Sequence, residues 1–209
     1  MPNVTAVLFD YGLVLSGPPD PAAWQWLKAF FGADEASFHT AYWKNRDDYD
    51  RGALTGEECW QLVAKDLGKT PDATQMQQII DADTDLWAQP NQPMIEWAAA
   101  LQHACVKTGI LSNMGDATET GLLARCPWLS RFTHLTFSHR LRMAKPDLAI
   151  YEIAATGLET EFAEILFIDD REVNIAAART VGMQAVQYTD HAAFLRTMRD
   201  EGFGFLLGL

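Results

Sequence analysis

The chain has 209 residues, 48% of them hydrophobic, with a net charge of −12 and a pI near 4.7. That length and apolar content allow a full buried core and exclude a disordered chain. The negative charge opposes long-range attraction to nucleic acid or to an anionic membrane, so an anionic ligand has to be held by a local cationic site. Cys59, Cys105 and Cys126 are odd in number and far apart, which fits reduced, structural thiols and neither a disulfide framework nor a CxxC metal site. The opening Met-Pro-Asn-Val has no basic, apolar leader, and no run approaches the roughly 20 apolar residues of a membrane span. The expected address is the cytosol, with no membrane partner.

In chain order, the first apolar run, VLFDYGLVLS at 7–16, sets Asp10 at its polar end with Gly12 two residues on. Asp-x-Gly is also ordinary turn chemistry, so this stretch alone leaves Asp10 open between a turn cap and a reactive carboxylate. From 18 to 88 no strand pattern follows. Helical patterns run over 22–31, 35–49, 56–67 and 74–87, punctuated by Gly32, Gly52, Gly68 and Pro71, as in a helical subdomain inserted after the first strand. Strand-length apolar runs then occupy 107–112, 134–138, 164–169 and 183–188, alternating with helical patterns over 92–104, 117–124, 147–155, 172–181 and 191–199. Repeated strand, helix, strand predicts an α/β chain: a Rossmann-like parallel sheet formed by 1–16 and 89–209, with an inserted helical cap at 17–88. The apolar end, GFGFLLGL at 202–209, fits a final strand, a packed tail or an interface, and monomer and homodimer both stay open.

Ligands of open parallel sheets bind beyond the carboxyl ends of the strands. There the sequence places Asp10, Ser112-Asn113, Asp169-Asp170 and, before the fourth strand's helix, Lys145-Pro146-Asp147. Three carboxylates near one another repel, by roughly 4 kcal/mol for a pair about 4 Å apart at an effective dielectric of 20, so the cluster needs a cation. A hard divalent ion such as Mg²⁺ suits oxygen ligands and a substrate phosphate. Lys145 supplies a second positive charge, and the Ser112 hydroxyl suits phosphate oxygens. Taken singly, each feature also reads as a cap, a turn or a solvated lysine; taken in order, the four point to covalent phosphoryl transfer.

The motifs VLFDYGLV, GILSN, KPD preceding IYE, and FIDDREVN followed by AAARTVGM resemble those of haloacid dehalogenase-like (HAD) hydrolases over nearly the whole chain. The resemblance implies Asp10 as nucleophile and Mg²⁺ ligand, the Gly12 carbonyl and Asp170 as further ligands, and Asp169 as support for the metal or for Lys145. It implies Ser112 and Lys145 as phosphate-binding groups, with Asn113, next to the motif serine, as a further substrate-binding residue and Asn174 in the place of an acid near the metal. The expected partner is a small phosphorylated metabolite, and members with Asp-x-Gly in the first motif resemble sugar-phosphate phosphatases. Gly12 stands where phosphatases of the family carry an acid-base aspartate, so two other readings stay open: 2-haloacid dehalogenation and phosphate or protein binding without turnover. Tyr11, Arg46 and Arg51 are candidates for substrate contact, with a solvated surface position the expected fate of each arginine. His139 is a candidate replacement acid, with Arg140 and Arg142 as local positive charge. Most aromatics of the insert, among them Trp24, Trp26, Trp43, Trp60 and Trp87, are expected to form its core, with some facing the crevice.

Overall fold

The computed structural model describes residues 3–209. Strand β1 (Ala6–Phe9) is followed by helices α1 (Pro21–Phe31), α2 (Glu35–Lys44), α3 (Arg46–Asp50), α4 (Gly56–Asp66) and α5 (Ala73–Trp87). The chain returns through α6 (Gln92–His103) to β2 (Lys107–Ser112), α7 (Asp116–Arg125), β3 (His134–Phe137), α8 (Ser138–Leu141) and α9 (Leu148–Leu158). Strand β4 (Ile165–Asp169), α10 (Glu172–Thr180), β5 (Gln184–Gln187) and α11 (His191–Asp200) complete the sheet layer.

All pairings are parallel, in the order β3-β2-β1-β4-β5. The chain winds outward from β1 to β3 and then resumes on the other side at β4, so the order reverses between β1 and β4, where such sheets open a crevice. Strand side chains alternate between faces, and both faces are buried. Val7, Phe9, Ile110 and Ile168 pack on one side with Met94, Trp97, Leu122 and Phe194. Ala6, Leu8, Leu111 and Phe167 pack on the other with Ile150, Tyr151, Leu158 and Ile175. Apolar runs without polar alternation are the sequence image of this double coverage. The Rossmann-like sheet expected from the sequence is the observed one.

Between β1 and α6 the helices form their own cluster, which includes Leu27, Phe31, Phe38, Trp60 and Ile79. Local signals set their starts. Asp20 accepts from the backbone N–H groups of Ala22 and Ala23, and Asp34 from that of Ser37; α4 and α5 open on capping boxes, Thr55 with Glu58 and Asp72 with Gln75. The two crossings between this unit and the sheet lie side by side: Gly17 N donates to the Gln89 carbonyl (2.6 Å) and Asn91 N to that of Leu15 (2.9 Å).

Three sequence expectations are corrected. The helix expected over 35–49 breaks at Asn45 (φ −114°, ψ 12°) into α2 and α3, at a residue that competes with the helix for its own backbone groups. The break turns Arg46, expected to be solvated, into the protein: it is 9% exposed, with Nη1 donating to the Tyr42 hydroxyl (2.8 Å) and the guanidinium paired with Asp50 (3.1 Å) and Asp83 (3.4 Å). Cys105 is exposed, so it is not a core thiol as Cys59 and Cys126 are. Of the alternatives left open for the 202–209 segment, the packed tail is the one observed: Phe203 and Leu206 join the sheet core, and the Trp97 indole N–H donates to the Leu206 carbonyl (2.9 Å).

Breaking a buried ion pair by removing one partner costs about 3 to 5 kcal/mol. Arg46→Met, which strands Asp50 and Asp83, is therefore expected to lower the melting temperature by at least about 6 °C, read by differential scanning calorimetry. Burial pushes the Asp50 carboxyl up to about 6, against the pull of Arg46. Its folded pKa exceeds the unfolded one, so between about pH 4 and pH 6 the folded state holds the extra proton and gains stability as pH falls; above pH 6 the contribution is flat. Urea melts across that range should show a shallower slope in Asp50→Asn than in the wild type.

Candidate active site

The backbone after β1 explains how a carboxylate stands at the tip of a buried strand. Asp10 N donates to the Ile168 carbonyl of β4 (2.8 Å), extending the sheet by one bond, and the Asp10 carboxylate accepts from Tyr11 N (2.7 Å). The chain then closes a wide turn, with Ser16 N donating to the Tyr11 carbonyl (2.8 Å), and inside it Gly12 is extended (φ −63°, ψ 129°) while Leu13 is left-handed (φ 58°). The Ser16 hydroxyl accepts from Leu13 N (3.1 Å) and pins the turn. Gly12 is not required by its dihedral angles: a Cβ there meets nothing within 4 Å.

Around Asp10 the strand ends deliver the other groups. Lys145 is 3% exposed, and its ammonium lies 2.8 Å from Asp10 and 2.7 Å from Asp169. Asn113, just beyond β2, holds Lys145 from behind: its amide donates to the Lys145 carbonyl (2.9 Å) and accepts from the Lys145 N–H (2.8 Å). The Lys145–Pro146 peptide bond is cis. Asp169 is fully buried and satisfied by Lys145, Arg171 N (2.8 Å) and the Asn174 amide (2.9 and 3.0 Å). Asp170 is half-buried beside it. Carboxylate oxygens of Asp10, Asp169 and Asp170 all lie within 4.8 Å of one another.

The charges do not balance without a further cation: three carboxylates face one ammonium, leaving the deficit that a divalent ion would fill. Burial pushes the Asp10 carboxyl up to about 7, Lys145 pulls it back, and Asp169 and Asp170 push it further up. Burial likewise raises Asp170. Lys145 is held above its ordinary value, because Asp10 and Asp169 outweigh the cost of burying its charge. The Asn174 side-chain oxygen, on the cavity wall, is buried without a partner among the described residues. An all-oxygen donor set with a surplus of negative charge and a stranded acceptor fits a hard divalent cation.

These groups line a cavity of about 390 Å³ between the sheet and the helical unit. Asp10, Gly12, Ser112, Asn113, Lys145 and Asp170 lie on it, and so do Tyr11 and Arg46. The Tyr11 hydroxyl is not free for substrate: it donates to the Trp87 carbonyl (3.0 Å), and its ring stacks on Trp128. Arg51 spans the cleft to Asp147 (2.6 Å) instead of binding in it. His139 is also corrected: its Nε2 pairs with Glu119 (2.6 Å), which Arg140 shares, and neither residue lines the cavity. Of the insert's aromatics, Trp43 and Trp87 reach the cavity. Leu13 and Thr118 line it without having been singled out in the sequence, for neither carries a local signal that distinguishes it from an ordinary turn or helix residue.

A parallel sheet whose reversal point carries a buried, lysine-bridged carboxylate cluster under a helical unit defines a Rossmann-like α/β protein with a polar site at its strand ends. Residues 6–182 match the haloacid dehalogenase-like hydrolases, and the chain belongs to that family. Among solved structures it is similar to a HAD family enzyme from Bacteroides thetaiotaomicron (TM-score 0.79, 20% identity, covering 94% of this chain and 99% of that one). The same enzyme was also solved with magnesium and inorganic phosphate (TM-score 0.72, 18% identity, 92% and 100% covered). L-2-haloacid dehalogenase from Xanthobacter autotrophicus superposes with a TM-score of 0.69 at 18% identity, over 98% and 86% of the two chains. At these identities the likeness establishes the fold.

In sequence the chain is similar to bifunctional epoxide hydrolase 2 of Sus scrofa, 27% identical over 92% of this chain and 38% of that protein. A sesquiterpene phosphatase of Aspergillus oryzae is 40% identical over 27% of this chain and 29% of its own. The chain spans between 20% and 38% of the length of the epoxide hydrolases it matches.

Proposed function

We propose that this hydrolase cleaves phosphate monoesters of small metabolites through a phosphoaspartate on Asp10, with Mg²⁺ held by Asp10, Asp170 and the Gly12 carbonyl. The observation that carries this reading is Lys145, bonded to both Asp10 and Asp169 at the sheet's reversal point, with Asp170 left to a cation. The named sesquiterpene phosphatase and the magnesium and phosphate complex of the Bacteroides enzyme agree with it. The helical unit acts as a cap, roofing the cavity and limiting water.

An Asp10 carboxylate oxygen attacks phosphorus, the bond from phosphorus to the alcohol oxygen breaks, and the alcohol leaves with its electron pair. Water then attacks the phosphoaspartate, releasing phosphate and restoring Asp10. Lys145 and the Ser112 hydroxyl bind the phosphoryl oxygens, and Asp169, immobilised by Asn174 and Arg171 N, fixes the lysine. Bound Mg²⁺ supplies charge neutralisation at the phosphoryl group. Asn113 positions Lys145 through its backbone instead of touching substrate. The residue at position 12 offers no proton, so the leaving alcohol must depart poorly protonated or draw a proton from water.

Dehalogenation of a 2-haloacid is disfavoured, because Asp170, which has no cationic partner among the described residues, lines the cavity that its carboxylate would have to occupy. The deciding assay is phosphate release from p-nitrophenyl phosphate and phosphorylated metabolites with Mg²⁺ or EDTA, run beside halide release from 2-chloropropionate. Metal-dependent phosphate release supports the reading; halide release alone overturns it.

A further inference from the structure

We propose, resting on the phosphohydrolase reading, that the alcohol portion of the substrate is hydrophobic: the site is built for the phosphate monoester of an apolar alcohol in preference to a sugar phosphate. Part of the cavity wall is hydrocarbon. Leu13, Trp43, Trp87 and Met114 line it, with Leu13 40% and Trp43 44% exposed. The polar edge of Trp87 is turned away, its indole N–H donating to the Tyr42 hydroxyl (3.0 Å), so an apolar ring face is left to the cavity. Leu13 occupies the left-handed region (φ 58°), where glycine or asparagine would sit at lower cost, yet it presents a branched apolar side chain to the space next to the nucleophile.

A polyol needs free donors and acceptors, and several of those on this cavity are already engaged. Arg46 is taken by Tyr42, Asp50 and Asp83. Asn113 is taken by the Lys145 backbone, and the Thr118 hydroxyl lies 3.1 Å from that of Tyr49. Sugar hydroxyls set against these engaged groups and the apolar residues would lose water without replacement, which a binding site strongly penalises. The volume of about 390 Å³ lies in the range that holds a small ligand beyond the phosphate.

Inhibition of p-nitrophenyl phosphate hydrolysis by n-alkylphosphonates tests this, since leaving-group chemistry plays no part in their binding. From ethyl through butyl, hexyl and octyl, the inhibition constant should fall about two- to fourfold per methylene until the cavity is filled. Octylphosphonate should bind at least about 100-fold tighter than glucose 1-phosphate, and Trp43→Ala should flatten the series. A flat series in the wild type, with glucose 1-phosphate competing as well as octylphosphonate, overturns the apolar-alcohol inference while leaving the phosphohydrolase standing. An unaltered slope in Trp43→Ala overturns the assignment of this wall. Absence of any p-nitrophenyl phosphate turnover in the Mg²⁺-loaded protein overturns both readings together.

Discussion

Asp10→Asn is expected to abolish phosphate release, by at least about 10⁴-fold in kcat, while leaving the protein folded. The carboxylate is 7% exposed, donates its charge to the pair with Lys145, and cannot be replaced as nucleophile by a neutral amide. Burial is the largest influence on Asp10 and acts against its ionised form, so a neutral isostere there should not weaken the fold. Lys145 keeps its second partner, Asp169, at 2.7 Å. The measurement is single-turnover and steady-state phosphate release, paired with a thermal melt of the same sample. Loss of activity with an unchanged or raised melting temperature supports covalent catalysis by Asp10. Retained metal-dependent turnover would mean that another group attacks phosphorus. Removing the divalent ion with EDTA should give a comparable loss in the wild type, restored by added Mg²⁺, because without it two negative charges of the carboxylate cluster stay uncompensated beside an anionic substrate.

Gly12→Asp carries the second large effect, in the opposite direction. The position is sterically open, with no atom within 4 Å of an added Cβ, and its dihedral angles (φ −63°, ψ 129°) suit any L-residue. A carboxyl there can reach the cavity that Gly12 lines and protonate a departing alkoxide. General acid help is worth typically 10²- to 10⁴-fold, so hydrolysis of alkyl phosphates should rise within that range while p-nitrophenyl and acyl phosphates, whose leaving groups need little protonation, change by less than about tenfold. Equal acceleration of both classes, or none, would show that leaving-group protonation does not limit the enzyme. Gly12→Ala is the control: it introduces no acid, and by restricting the unfolded chain it should add about 0.4 to 1 kcal/mol of stability.

Much of the architecture was open to reading from the sequence because it is written in local patterns. Each strand begins and ends within a few residues of its apolar run, and capping residues such as Asp20, Thr55 and Asp72 mark helix starts with their own side chains. The candidate site was legible for a related reason: in a parallel sheet, ligand sites collect at strand ends, so Asp10, Ser112, Asp169 and Asp170 could be placed together from the order of elements alone. Lys145 was found by its place before α9, while the choice of Asp169 as support for the metal or for Lys145 stayed open until packing set both Asp10 and Asp169 against its ammonium.

What the sequence determined by itself, then, is the order of elements, the buried sheet and the identity of the charged groups at its edge, since periodicity and capping act over a few residues. Tertiary structure alone decided which polar groups are free and which are spent. Arg46 looked like a solvated cation until Asp83, 37 residues later, was brought against it; Asn113 looked like a ligand for substrate until the Lys145 backbone claimed both ends of its amide. The same holds for the cavity's character. Leu13 and Trp87 are far apart in the chain and become one apolar wall only when the helical unit folds over the sheet, because contacts between distant segments are set by packing, which no local pattern encodes.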